Sequence, residues 1–156
     1  MNKLNPWYVT GLTEGEGSFC VSFNLKRRLT TGIETRPSFS LTLNRRDLNL
    51  LKDIRAFFGC GAIRFSRSDR TYKYESRSIK DIRKRIIPHF MKFPLRGEKL
   101  KDFWNFRKIC RMISANQHLS VKFLPEIIKL AYEMNPSGKR KYSKEYLLRV
   151  LDEVKG

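Results

Sequence analysis

Two stretches of the chain alternate apolar and polar positions with a period of two. Phe19, Val21, Phe23 and Leu25 alternate with Ser18, Cys20, Ser22 and Asn24; further on, Phe39, Leu41 and Leu43 alternate with Ser40, Thr42 and Asn44. Each reads as a strand with one packed face and one open polar face. Ahead of them, Asn5 and Pro6 supply an N-cap and a first helical residue for a helix over about 6–15, carried by Trp7, Tyr8, Val9 and Leu12. Gly15 or Gly17 can end that helix. Between the strands, LKRRLTTGIETRP reads as a basic loop or long hairpin turn that holds Arg28 and Arg36.

The same succession follows once more. Asp47 is placed to cap a helix whose Leu48, Leu51, Ile54 and Phe58 form one apolar face before Gly59 stops it. AIRF and TYKYESRS read as two further strands joined by the turn SRSDR, with Arg64, Ser66, Lys73, Glu75 and Arg77 on the open side. Phe19, Phe23, Phe39 and Phe65 fall mainly on the packed side. The remainder is helical: IKDIRKRIIPHF with a proline interruption, GEKLKDFWNFRKICRMI, VKFLPEIIKLAYEM and, after the turn NPSGKRK, SKEYLLRVLDEV. The expected fold is α+β in the order αββαββα, with a four-stranded antiparallel sheet backed by helices on one side, extra C-terminal helices, and a single domain over residues 1–156.

Composition changes this picture in one respect. Lys and Arg number 33 against 15 Asp and Glu, giving a net charge of +18. Such an excess favours a polyanion, because each neutralised phosphate releases counterions. Charge alone leaves a solubilising surface, a ribosomal protein or a membrane-surface protein as alternatives. With the charge, the polar sheet face becomes a candidate for the major groove of duplex DNA, which admits a two-stranded ribbon. Its candidate contacts are Ser22, Asn24, Lys26, Arg28, Arg36, Ser40, Thr42, Asn44, Arg64, Ser66, Lys73 and Arg77.

The three cysteines, Cys20, Cys60 and Cys110, form no CxxC pair, and with only His89 and His118 beside them argue against a disulfide framework or a structural zinc site. His89 follows Pro88 in an apolar helix end and reads as structural. No apolar run approaches the length needed to span a membrane, and the start carries no secretion signal.

The stretch VTGLTEGEG, residues 9–17, is unusual for a helix in a basic protein. Gly11 and Gly15 are four apart, so they share a face on which a second helix could approach closely; two tolerated glycines and a C-cap are the other reading. Glu14 and Glu16 stand at the carboxyl end, where the macrodipole disfavours negative charge. Either surrounding Lys and Arg offset that charge or a divalent metal does, held by oxygen ligands. If two copies packed through these glycines, one acid from each would approach the symmetry axis, an arrangement suited to phosphodiester hydrolysis.

These nine residues resemble the signature of the LAGLIDADG homing endonucleases. Gly11, Leu12 and Gly17 are kept, Thr10 and Gly15 are small, and both aspartates of the signature are glutamates here. IKDIRKRIIPHFMKFPLRGEKLKDFWNFRKI, residues 79–109, and NRRDLNLLKDI are similar to the family's downstream stretches, so the resemblance spans roughly residues 6–110. It implies a site-specific endonuclease that hydrolyses both strands of a long, near-palindromic duplex across the minor groove and leaves short 3′ overhangs. Glu16 would bind the catalytic Mg²⁺, a site that Ca²⁺ could occupy without supporting cleavage, while Glu14 would be structural. Lys99 aligns with a family lysine near the cleavage site; a core-facing or surface role is its alternative. Leu43 stands where the family often has glutamine, and Asn44 beside it is a weak substitute because adjacent strand residues face opposite ways.

With one motif only, a homodimer follows, joined through Gly11, Leu12 and Gly15. Double-stranded DNA is the expected partner and no membrane is. Intron RNA would be a partner if the chain were a maturase, and a cleavage-inactive DNA-binding protein is a second alternative. The resemblance implies a mobile intron of a mitochondrion, chloroplast or bacterium; MNKLNPWYV shows no transit peptide, which fits a protein made where it works and not secreted.

Overall fold

In the computed structural model, which describes residues 3–135 and 138–155, the elements run α1 (Pro6–Glu16), β1 (Gly17–Leu25), β2 (Ile33–Asn44), α2 (Leu48–Phe58), β3 (Ala62–Ser66) and β4 (Thr71–Ser76). The helical remainder holds α3 (Ile79–Asp81), a π-turn (Ile82–Ile86), α4 (Ile87–Lys92), α5 (Lys99–Ser114), α6 (Leu124–Tyr132) and α7 (Lys144–Lys155). The strands form one sheet in the order β1-β2-β4-β3. This is the expected α+β fold, an antiparallel sheet backed by helices with further helices at the carboxyl end. The expected turn over 135–141 includes Pro136 and Ser137, which lie outside the described residues.

The chain divides into two compact units, residues 1–19 with 38–100 and residues 20–37 with 101–156. In the first, Phe19, Phe39, Phe58, Tyr74 and Phe90 are almost wholly buried and form an aromatic core in which Phe58 stacks on Tyr74 with centroids 6.1 Å apart. Burial of such rings is the main source of stability for a unit of this size. Leu51, Ile54 and Phe58 lie on one face of α2, as their 3–4 spacing requires. In the second unit, Phe103, Phe106, Ile109 and Ile113 bury the inner side of α5, Leu147 and Leu151 that of α7, and Phe23 stacks on Tyr132.

Four local readings of the sequence are corrected. Strand β2 starts at Ile33, so Arg36 lies on a strand and not in a flexible turn. Ile33, Thr35 and Pro37 continue the buried alternation, and pairing with β4 begins only at Phe39, so the missing N–H of Pro37 removes no bond of that ladder. Asp47 makes no side-chain cap; Asn44 accepts from the Arg46 amide at 3.0 Å and caps the short 3-10 turn Arg45–Asp47 instead. Phe65 is 47% exposed because β3 pairs with β4 at the end of the strand order, and its ring packs on Tyr72 at 4.8 Å. The helix through residues 79–92 widens ahead of Pro88, with the Ile87 amide reaching back five residues to the Ile82 carbonyl. A proline ring clashes with the carbonyl four residues earlier, and a wider turn relieves that clash.

Candidate functional site

The site begins with α1. Asn5 Oδ1 accepts from the Trp7 amide at 2.8 Å and Pro6 opens the first turn, so the start of the helix is fixed by two adjacent residues. Val9, Thr10 and Thr13 face inward and are buried. The Thr10 hydroxyl donates to the Phe93 carbonyl at 2.8 Å and lies 3.0 Å from His89 Nε2. Because the threonine proton is committed to Phe93, Nε2 of His89 is the donor and the imidazole is the Nε2–H tautomer. Burial pushes the His89 pKa down to about 4, so the ring is neutral at physiological pH, a structural role in keeping with its sequence setting.

The opposite side of α1 is open. Trp7 and Tyr8 are about half exposed, and among the described residues a Cβ added at Gly11 or at Gly15 would meet nothing within 4 Å. Packing within the chain therefore does not require glycine at either place. Gly17 differs: a Cβ there would lie 2.5 Å from Thr13 Cγ2 and 2.9 Å from the Thr13 carbonyl oxygen. This glycine is what lets the chain turn from helix into β1.

The paired acids at the helix end have separate surroundings. Glu14 Oε2 accepts from the amides of Arg96 and Gly97 at 2.7 and 3.0 Å. In return, Lys99 Nζ donates to the carbonyls of Thr13 and Glu14 at 2.9 and 3.0 Å. No basic residue stands in the last turn of α1, so this ammonium from the first residue of α5 supplies the cation that the dipole calls for. Glu16 is the last helical residue and is exposed. Its carboxylate is the hard oxygen donor that Mg²⁺ or Ca²⁺ prefers, whereas Glu14 is committed to two amides. Among the described residues no three His, Cys, Asp or Glu gather to hold a metal.

A family model described as LAGLIDADG endonuclease matches residues 9–110. The chain belongs to the LAGLIDADG endonuclease family. It is similar to a probable intron-encoded endonuclease of Neurospora crassa, 33% identical over 134 residues that cover 85% of this chain and 25% of that protein. Among solved structures, the homing endonuclease I-TnaI superposes with a TM-score of 0.85 and 33% identity, covering 98% of this chain and 99% of that one. The I-SmaMI LAGLIDADG homing endonuclease bound to cleaved DNA superposes with a TM-score of 0.86 and 33% identity, covering 98% of this chain and 49% of that one. The chain thus spans a quarter of the Neurospora relative and about half of I-SmaMI.

In this LAGLIDADG chain the polar sheet face is placed by strand register. Within the first unit, Thr42 pairs with Lys73 and Lys73 with Arg64, giving one row across three strands. Asn44, Thr71 and Ser66 form the next row, and Ser40, Glu75 and Ala62 the row on the other side. Arg64, Lys73, Arg77 and Asn44 are exposed, Thr42 and Ser66 half-buried. Ser40 is only 8% exposed, a short side chain between longer neighbours, which makes it the least accessible of the expected contacts. Within the second unit, Ser22, Arg28 and Arg36 are exposed and Asn24 and Lys26 half-buried. Leu43 belongs to the buried side, with Leu41 and Phe39.

Sequence reasoning left two acids out of the site. Glu34 lies 2.8 Å from both Lys26 Nζ and Arg36 Nε, and Lys26 foremost, with Arg36, holds its carboxyl below the usual range against the opposing effect of burial. Glu75 lies 3.4 Å from Lys73 Nζ and 2.7 Å from Arg77 Nε. The signal was present as Glu-Thr-Arg at 34–36 and Glu-Ser-Arg at 75–77, since residues two apart on a strand share a face.

Proposed function

We propose that this chain is a homodimeric, site-specific endonuclease that hydrolyses both strands of a near-palindromic DNA duplex and leaves short 3′ overhangs. The observation that carries the reading is the face of α1 formed by the exposed Gly11 and Gly15, flanked by the half-exposed Tyr8 and the half-buried Leu12, which ends in the exposed carboxylate of Glu16. A second copy of the same helix fits that face, because absent side chains let two backbones approach. Twofold packing there brings one Glu16 from each protomer toward the axis, so that two exposed carboxylates meet there.

Each nearby residue has its own task. Glu16 offers the oxygen ligand. Glu14 ties the segment before α5 to the helix end through the Arg96 and Gly97 amides, and Lys99 neutralises the carbonyls of the last turn, so the helix terminus carries less negative potential toward an incoming phosphate. A bound Mg²⁺ would polarise the scissile phosphate and favour ionisation of an attacking water. The sheet faces of two protomers would read two half-sites, with phosphate contacts giving affinity and base contacts giving sequence.

The test is cleavage of a randomised duplex library in Mg²⁺ by the parent and by Glu16→Gln. The expected result is a long, roughly palindromic consensus cut by the parent, with the variant slower by about a hundredfold or more, as for loss of a group that stabilises transition-state charge. Enrichment of a bound consensus without cutting by the parent would overturn the nuclease reading and leave a cleavage-inactive DNA-binding protein or a maturase.

A further inference from the structure

Each unit of the molecule carries one Lys–Glu–Arg triad of the same design. In the second unit Lys26 contacts Glu34 Oε2 and Arg36 Nε contacts Glu34 Oε1; in the first, Lys73 contacts Glu75 Oε2 and Arg77 Nε contacts Glu75 Oε1. The exposure within each triad is lopsided. The glutamates are 21% and 10% exposed, the arginines 49% and 48%. A carboxylate is thus set low between two cations while a guanidinium stands out into solvent.

An acid on a surface meant for DNA needs an explanation, because phosphates repel it. Direct recognition of cytosine by the carboxylate would require an exposed acceptor oxygen, but the two glutamate side chains are only 21% and 10% exposed, below their cations. What the glutamate does accomplish is to fix its arginine. Engaged at Nε, the guanidinium keeps the edge formed by its two terminal nitrogens for another partner, and its swing is restricted. That edge matches the O6 and N7 acceptors of guanine in the major groove, the pairing in which arginine is most specific. Glu75 and Arg77 also border a surface groove shared with Arg64 and Gly61, so the fixed guanidinium stands beside a concave opening.

Resting on the reading of the polar sheet face as a duplex-binding surface, we propose that Arg36 and Arg77 are guanine-reading residues and that Glu34 and Glu75 are the positioning residues that orient them. Each protomer then specifies guanine at two places in its half-site. The two triads are not equal. The Arg77 Nε–H donates to Glu75 in an aligned hydrogen bond, whereas Arg36 and Glu34 are close without one, and Glu34 Oε1 has no aligned donor. The Arg77 position is therefore the more discriminating.

The experiment selects bound duplexes from a randomised library in Ca²⁺, using the full chain and its Arg77→Lys, Glu75→Gln, Arg36→Lys and Glu34→Gln variants, each checked for an unchanged melting transition. Arg77→Lys is expected to lower guanine preference at one position of the half-site by about tenfold or more, with the other positions retained. Glu75→Gln removes a negative charge yet lowers guanine preference at that same position by about threefold or more, while binding to unrelated duplex tightens. Replacing that guanine by 7-deazaguanine, which lacks N7, reproduces the loss in the parent. A Glu75→Gln protein that binds every duplex more tightly with guanine preference intact would reduce the glutamate to a counterion and overturn the proposal. A parent consensus indifferent to both arginines overturns it as well, leaving DNA binding in place; a parent that enriches no duplex overturns both readings together. Should a variant of one triad fail to fold, the other triad, in a separate unit, gives the same decision.

Discussion

On α1, the side formed by Val9, Thr10 and Thr13 and the side formed by Tyr8, Gly11 and Gly15 follow different rules, although they belong to the same eleven residues. Inward, both threonine hydroxyls are bonded: Thr13 donates to the Val9 carbonyl at 2.8 Å, and Thr10 links Phe93 to His89. Outward, the helix presents the half-exposed Tyr8 and two glycines that no described residue packs against. The difference teaches which changes act on the fold and which act on assembly. Polar groups buried without partners cost far more than exposed ones, so the inner side tolerates little. The outer side is free of such restraint within one chain, and glycine there makes sense for a partner helix.

The largest effect expected on the inner side comes from acid. His89 titrates near 4 when folded and near 6.5 when unfolded, so the unfolded chain takes up the proton first. Its stabilisation is complete above pH 6.5 and is lost as the pH falls toward 4, a change of about 2–3 kcal/mol. Urea unfolding at steps from pH 7 to pH 4 measures it, and His89→Gln should flatten that part of the slope. Next is Gly17→Ala, whose new methyl would overlap Thr13; a loss of about 1–3 kcal/mol is expected in the same unfolding assay. Lys99→Met removes the cation from two helix-end carbonyls and should cost about 1–2 kcal/mol, and on the proposed endonuclease reading it should also slow DNA cleavage. The smallest change reverses sign. Gly15→Ala, with open space around its Cβ, should stabilise the separate chain by about 0.5–1 kcal/mol while weakening self-association in sedimentation. A Gly15→Ala protein that loses stability, or that associates as before, would erase the contrast between the two sides.

The triads sharpen the same lesson at the sheet. Lys73 and Arg77 could be named from the strand pattern, since alternation assigns a face, whereas Lys26 and Arg36 were read in the basic loop. Their attachment to Glu34 and Glu75 could not, because alternation says nothing about which neighbour a long side chain will choose. Arg36 was misplaced in a turn for a related reason: Gly32 and Pro37 read as loop residues, and only burial of Ile33 and Thr35 reveals the strand between them.

By itself the sequence determined the order of helices and strands, the polar side of the sheet, the glycine spacing of α1 and the position of Glu16 at its end. All of these follow from periods of two or about 3.6 residues and from local caps, which are properties of neighbours in the chain. Only the tertiary structure decided what Glu14, Lys99, Thr10 and His89 do. Glu14 meets the amides 82 and 83 residues away, and Lys99 reaches carbonyls 86 and 85 residues back. No periodicity carries information over such separations; the hydrogen-bonding needs of helix ends and buried side chains are met by whichever group the packed fold brings beside them.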